Sequence, residues 1–133
     1  MSERHVVQLQ VERRPATFAT GSEAAWKAAV RAAVEDAGCE PSGDARYAVR
    51  IDFRLAQATR AGEVWDLDNL IKPTLDAMEG VFGLRAWKGL PQPADDRVDR
   101  IEAWKRQPDD GELPGATIDV WVIEQGNSLD LSA

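Results

Sequence analysis

One stretch of strict alternation, residues 46–55, most constrains how this chain can fold. Successive side chains of a β-strand point to opposite faces of the sheet, so alternation predicts a strand with one buried face. The other face carries arginine at every fourth residue. The apolar members of the stretch, which predict a core on one side of a sheet, are Tyr47, Val49, Ile51, Phe53 and Leu55.

The remaining patterns predict elements on both sides of this strand. Alternation at 7–11 indicates a first strand, and apolar residues at helical spacing indicate helices at 23–37 and 69–82. Two further strands are predicted at 101–106 and 118–123. Helical crossovers favour parallel pairing, whereas the last two strands favour an antiparallel pair.

These elements predict an α/β (α+β) fold with two layers. The elements follow in the order β-α-β-α-β-β. A small mixed β-sheet of about four strands with two helices packed on one face would bury the apolar face of every element. The chain of 133 residues predicts one domain at 1–125, followed by a frayed tail at 126–133.

Composition excludes several classes of protein. The chain has one cysteine and one histidine, so a Cys/His zinc cluster within it is excluded. A lone cysteine makes no intrachain disulfide and indicates a reducing, cytoplasmic compartment. No apolar run approaches the length of a membrane span, so no membrane association is expected.

The charge is unevenly distributed. The net charge is −7, with nine Lys/Arg and eight Asp/Glu in residues 1–60 (a balance of +1) and seven and fifteen in residues 61–133 (a balance of −8). An acidic chain is a poor general binder of polyanions, because phosphate binding depends on Lys and Arg. A nucleic-acid partner would therefore require metal ions or local basic stripes.

Two carboxylates stand one residue apart before the second helix. In an extended segment, Asp66 and Asp68 would point to the same side and repel each other unless a cation or a lysine lay between them. Mg²⁺ suits such a site because it takes oxygen ligands. Lys72 follows one turn into the helix. The alternative is that the acids only cap the helix and that Lys72 and Asp76 form a surface i,i+4 pair.

The block Asp66-Leu67-Asp68-Asn69-Leu70-Ile71-Lys72-Pro73-Thr74-Leu75-Asp76-Ala77, followed by an Asp-Asp pair before a strand, resembles the RusA family of Holliday junction resolvases. The resemblance implies a Mg²⁺-dependent endonuclease, with Mn²⁺ as a possible substitute, that acts as a homodimer and nicks four-way DNA junctions symmetrically in recombination and repair. By motif position Asp66 and Asp68 correspond to essential acids and Lys72 to the catalytic lysine. Asn69 would orient a carboxylate or a water, and Asp76 would pair with Lys72.

The resemblance also implies a third essential acid, which is either Asp95 or Asp96. In the resolvase pattern, two residues separate the essential acid from an apolar strand residue, and the essential acid is the second of an acid pair. The spacing from Val98 selects Asp95, whereas the position within the pair selects Asp96. Three carboxylates from separate parts of the chain would hold one or two Mg²⁺ ions, the arrangement that phosphodiester hydrolysis uses. A symmetric pair of cuts requires two sites related by a two-fold axis, hence a dimer.

Basic and aromatic residues provide candidate DNA contacts. Residues Arg46, Arg50, Arg54 and Arg60 form either a phosphate-contacting stripe or a solvated sheet face. Trp65 and Trp104 are candidates for base stacking, although burial is the commoner role of tryptophan.

Two other functions remain open beside the nuclease. The first is a non-cleaving dimeric module that binds DNA junctions or protein partners and retains the resolvase fold, which the acidic charge favours. The second is a metal-free interaction protein in which the aspartates are helix caps.

Overall fold

The computed structural model describes residues 2–16, 21–41, 45–56 and 66–124. The predicted tail at 126–133, together with Arg60 and Trp65, lies outside these described residues. The elements are, in order, β1 (Ser2–Val11), α1 (Glu23–Ala37), β2 (Arg46–Arg54), α2 (Leu67–Asp76), α3 (Glu79–Phe82), β3 (Leu84–Trp87), β4 (Leu90–Pro93), a 3-10 turn (Asp95–Arg97), β5 (Val98–Arg106) and β6 (Gly115–Glu124).

The main sheet has four strands in the order β1-β6-β2-β5. Strand β6 is antiparallel to both β1 and β2, and β5 is parallel to β2, with Tyr47 opposite Val98 and Arg54 opposite Arg106. The mixed two-layer α/β fold predicted from the sequence is confirmed. The parallel pairing expected of a helical crossover holds for β2 and β5.

The predicted antiparallel pairing of the last two strands is wrong. Strand β6 does not pair with β5; it crosses to the far side of β2 and pairs there and with β1. The difference in burial between β5 and β6 explains the strand order in the sheet. Strand β6 is buried or half-buried along nearly its whole length. Strand β5 is mostly exposed and carries charged side chains, which suit a sheet edge.

Both long helices pack on the same face of the sheet. The core between the layers contains the whole apolar row of β2, and α1 contributes Trp26, Val30 and Val34. Helix α2 contributes Leu70 and Leu75, and the α2–α3 junction contributes Met78. Glycine ends α1, because Gly38 adopts a left-handed conformation (φ 67°) and its N–H bonds to the Glu35 carbonyl.

Residues 83–94 contain a short hairpin. Strands β3 and β4 pair around a turn at Lys88 and Gly89 and form a separate two-stranded sheet. Leu84 and Leu90 on this hairpin are 55% and 62% exposed. Among the described residues, no helix is long and apolar enough to cross a bilayer.

A buried hydrogen-bond chain fixes α2 against α1. The Trp26 indole N–H donates to the Thr74 hydroxyl (3.0 Å), which in turn donates to the Leu70 carbonyl (2.8 Å). Thr74 and Trp26 are fully buried, so each polar atom depends on this partner. The helix that begins with the candidate acids therefore has a defined position along α1.

We expect Thr74→Val to destabilise the fold by about 1–3 kcal/mol, because it leaves the buried Trp26 N–H without an acceptor while conserving volume. Urea unfolding of the wild type, Thr74→Val and Thr74→Ser measures the change in the free energy of unfolding. Thr74→Ser keeps the hydroxyl and is the matched control, expected to retain more stability. Equal losses in the two variants would contradict the role of the hydrogen bond.

Candidate functional site

The first pair of candidate acids lies at the start of α2. Asp66 occupies the N-cap position with an extended backbone (φ −67°, ψ 138°), but its side chain makes no capping hydrogen bond. The chain is helical from Leu67 onward, so the expectation that Asp66 and Asp68 share an extended segment is wrong. Both carboxylates are exposed, and neither has an ion pair with another described residue. A capping role for the Asp66 side chain is therefore not realised here.

Lys72 and Asp76 follow on the same helix. Their Nζ and Oδ2 atoms are 3.4 Å apart, so the predicted i,i+4 ion pair is present. The Lys72 side chain remains 54% exposed. Pro73 lies inside α2 and has no N–H, which leaves the carbonyl of the half-buried Asn69 without its usual helical donor.

The second pair of acids lies in the 3-10 turn before β5. Arg85, from the hairpin, approaches both of them, with its Nη2 3.7 Å from Asp95 Oδ1 and its Nε 3.3 Å from Asp96 Oδ1. The Asp95 side chain is 32% exposed and that of Asp96 is 56% exposed. The two aspartates share one cationic partner, and both stay accessible to solvent.

A clamp at the base of the hairpin positions this turn. The Arg97 guanidinium donates to the Phe82 carbonyl (2.6 Å), and the Ala94 N–H donates to the Gly83 carbonyl (2.9 Å). Gly83 has φ 87° and ψ −170°, a conformation that is essentially restricted to glycine. A Cβ there would lie 2.9 Å from Arg97 Nη1.

We expect Gly83→Ala to lower the free energy of unfolding by about 1–3 kcal/mol, because it forces alanine into a glycine-only conformation and displaces Arg97. Thermal or urea unfolding measures the loss. The control is Gly21→Ala, where an added Cβ meets no atom within 4 Å. A Gly83 variant as stable as the Gly21 variant would show that the clamp does not constrain the turn.

The two acid pairs lie toward opposite ends of the sheet. The segment from α2 to α3 runs along α1 in the same direction. Thr74 of α2 contacts Trp26 near the start of α1. Further along α1, Arg31 Nε lies 2.9 Å from Glu79 Oε1 of α3. Tyr47, at the amino end of β2, donates its hydroxyl to the Val81 carbonyl (3.1 Å). Because β1 and β2 run in the same direction, α1 starts at the carboxyl ends of these strands. The α2 entrance therefore lies toward the carboxyl ends and the 3-10 turn at the amino end of β5.

Within the ranges that the structure describes, no three or more His, Cys, Asp or Glu side chains are grouped so that they could hold a metal ion. Asp66 and Asp68 share one helix entrance, and Asp95 and Asp96 share one turn. One protomer does not gather these four carboxylates into a single group. A Mg²⁺ site built from three of them thus does not fit the described part of one protomer.

The described members of the predicted arginine stripe lie on the open face of the sheet, and two of these three make polar contacts within the fold. Arg46 pairs with Asp99. Arg54 is only 5% exposed and donates to the Thr117 hydroxyl (2.7 Å) and the Leu113 carbonyl (3.3 Å). These two guanidinium groups join β2 to β5, to β6 and to the connection between β5 and β6.

Arg50 is the exposed member of the stripe. Its guanidinium carbon lies 4.8 Å from the ring centroid of Trp104, a cation–π arrangement. Trp104 is 37% exposed, so the expectation that it is buried is wrong. The reason is its place on an edge strand, where only one neighbouring strand covers it.

A network of ion pairs fixes the connection from β5 to β6 at the carboxyl end of β2. Arg106 donates to both Glu112 (2.7 and 2.9 Å) and Asp52 (3.2 and 3.0 Å). The hydrogen bonds from Arg106, together with one from the Asp109 backbone, lower the pKa of Glu112 to about 2. They also raise the pKa of Arg106.

We expect the stabilising effect of Glu112 to depend on pH. Because its pKa is lower in the folded than in the unfolded chain, the effect is fully present above the unfolded value of 4.5 and is lost as pH falls toward about 2. Urea unfolding from pH 2.5 to 7 should show a gap between wild type and Glu112→Gln that closes in acid. Glu12→Gln, at an exposed carboxylate, is the control. A gap independent of pH would contradict the ion-pair explanation.

The sequence patterns did not identify two arginines, Arg85 and Arg100, as partners of acidic residues in other elements. Arg85 joins the two aspartates of the 3-10 turn, and Arg100 on β5 pairs with Glu3 on β1 across the open face. The pKa of Glu3 is lowered because Arg100 donates to its carboxylate. No local pattern identifies these pairs, since each joins residues from different elements.

Comparison with models of known protein families finds none that matches this chain, and a search of curated proteins finds no relative. The likeness to the RusA resolvases therefore rests on the block 66–77 and the later acid pair.

Proposed function

We propose that this protein is a Mg²⁺-dependent, structure-selective DNA endonuclease that acts as a homodimer and nicks four-way junctions. The observation that carries the proposal is the start of α2. Asp66 and Asp68 present exposed carboxylates that are not consumed by capping or by ion pairs with described residues. Exposed acids without a partner among the described residues agree better with a binding role than with a purely structural one.

The surrounding residues support the same function. Lys72, one turn from Asp68, remains more than half exposed although it pairs with Asp76, so its ammonium group is accessible to a phosphate. A lysine at this position would stabilise negative charge that develops on a phosphodiester. On the open face of the sheet, Arg50 offers an exposed guanidinium and Trp104 an exposed ring, which are suitable contacts for a nucleic-acid backbone and an unpaired base.

A second candidate function is a dimeric module that binds junctions without cutting them. It is favoured by the engagement of Arg46 and Arg54 within the sheet and by the −8 balance of residues 61–133. Junction binding in Ca²⁺ without any nicking in Mg²⁺ would favour this module over the nuclease. The localisation we propose for either function is cytoplasmic, where a single cysteine stays reduced.

We expect the wild type to nick a synthetic four-way junction in Mg²⁺, and Asp68→Asn to lose activity by about 100-fold or more, because it removes a carboxylate that would hold the Mg²⁺ ion. Denaturing gels of end-labelled strands measure the nicks. Asp110→Asn, in an exposed turn far along the chain, is the charge-matched control and should retain activity. No nicking by the wild type with Mg²⁺ or Mn²⁺ at low salt would overturn the nuclease.

A further inference from the structure

Arg85 supplies the positive charge beside the acid pair of the 3-10 turn. Its Nε lies 3.3 Å from Asp96 Oδ1 and its Nη2 lies 3.7 Å from Asp95 Oδ1, so one guanidinium spans both carboxylates. Neighbouring carboxylates repel each other unless a cation lies beside them. No other residue in the described part of the chain forms an ion pair with either aspartate.

The other arginines near this turn have different partners. The Arg46 guanidinium donates to the Asp96 backbone carbonyl (2.8 Å) and pairs with the Asp99 carboxylate. The Arg97 guanidinium donates to a backbone carbonyl at the end of α3 (2.6 Å). These contacts fix the backbone of the turn and leave its two carboxylates to Arg85.

The β3–β4 hairpin holds Arg85 in this position. Arg85 is the second residue of β3 and lies opposite Gln92 of β4. The base of the hairpin is closed by the hydrogen bond from the Ala94 N–H to the Gly83 carbonyl (2.9 Å). Arg85 follows this base by two residues on one strand and Asp95 follows it by one on the other. The local backbone therefore keeps the guanidinium beside the turn.

The contact between Arg85 and the acid pair is loose enough for another cation to replace it. Its distances exceed the 2.7 and 2.9 Å bonds by which Arg106 holds Glu112. The side chains of Arg85 and Asp96 are 39% and 56% exposed, so water screens their attraction and the net stabilisation is small. A divalent ion carries twice the charge and prefers carboxylate oxygens, so it can compete for this position.

We propose that Arg85 is an internal competitor for the divalent ion of the proposed nuclease. In one protomer its guanidinium lies against a carboxylate oxygen of both Asp95 and Asp96, where an ion shared by the two residues would also lie. Two cations cannot occupy this position together because like charges repel. The guanidinium must leave before an ion binds, and the hairpin thereby sets the ion concentration at which the acid pair is loaded.

The consequence for cleavage rests on the proposed function. If Asp95 or Asp96 holds Mg²⁺ during nicking, loss of the Arg85 guanidinium lowers the Mg²⁺ concentration that nicking requires. The competition itself rests on the geometry of the turn and the hairpin. It is therefore measurable as ion binding, without any cleavage.

Mn²⁺ titration followed by electron paramagnetic resonance tests the competition. We expect Arg85→Gln to bind Mn²⁺ at least about fivefold more tightly than the wild type, because it removes a positive charge about 4 Å from the bound ion. Arg85→Lys keeps the charge and should gain less. The matched control is Lys88→Gln, which removes a positive charge from the turn of the same hairpin and should not reproduce the gain.

A double-mutant cycle shows whether the gain arises at the acid pair. In an Asp95→Asn/Asp96→Asn background, Arg85→Gln should leave the Mn²⁺ affinity unchanged, because the carboxylates for which the arginine and the ion compete are gone. The competition is overturned if Arg85→Gln alone binds Mn²⁺ no more tightly than the wild type. It is equally overturned if Arg85→Lys or Lys88→Gln gains as much, or if the gain persists without the two carboxylates.

Nicking assays separate this inference from the proposed function. If the wild type nicks four-way junctions, Arg85→Gln should reach half-maximal nicking at a Mg²⁺ concentration about fivefold lower. Nicking with an unchanged Mg²⁺ dependence would overturn the competition and leave the nuclease standing. If the wild type does not nick with Mg²⁺ or Mn²⁺, the nuclease is refuted. A Mn²⁺ gain that requires Asp95 and Asp96 would then still support the competition.

Discussion

The central position of β6 determines much else in this structure. Ala116, Ile118, Val120 and Val122 fill the helix-covered face of this strand, and Ile123 is buried on the other. A strand that is buried or half-buried along nearly its whole length is best accommodated between two neighbours. With β6 between β1 and β2, the other side of β2 is left to β5, which is an edge among the described strands and carries charged side chains. The edge position of β5 is therefore a consequence of where the last strand is buried.

The open face of the sheet is stabilised by long-range polar pairs. Arg100 and Glu3 lie on the strands at opposite sides of the sheet and still pair across it. Ala48 and Ile123 lie on the two strands between them and are 1% and 8% exposed, although none of the described helices covers this face. The same face contains the Arg46–Asp99 pair and the Arg106 network at its two ends. Charged residues here contribute to the fold, which limits how many remain for a polyanionic partner.

The candidate site follows from the crossover between two parallel strands. Such a crossover must travel from the carboxyl end of one strand to the amino end of the next. Here it begins with Asp66 and Asp68 and ends with Asp95 and Asp96, so the acid pairs are separated in a single protomer.

The sequence determined the periodic elements, because apolar spacing records which face of each strand or helix is buried. It therefore predicted β2, α1 and the two-layer fold, and it placed the candidate acids at the start of α2. Strand order, the edge position of Trp104 and the partners Arg85 and Arg100 were decided only by the tertiary structure. The physical reason is that periodicity reports one residue's burial, whereas pairing between distant strands depends on competition among all strands for the few central positions of the sheet.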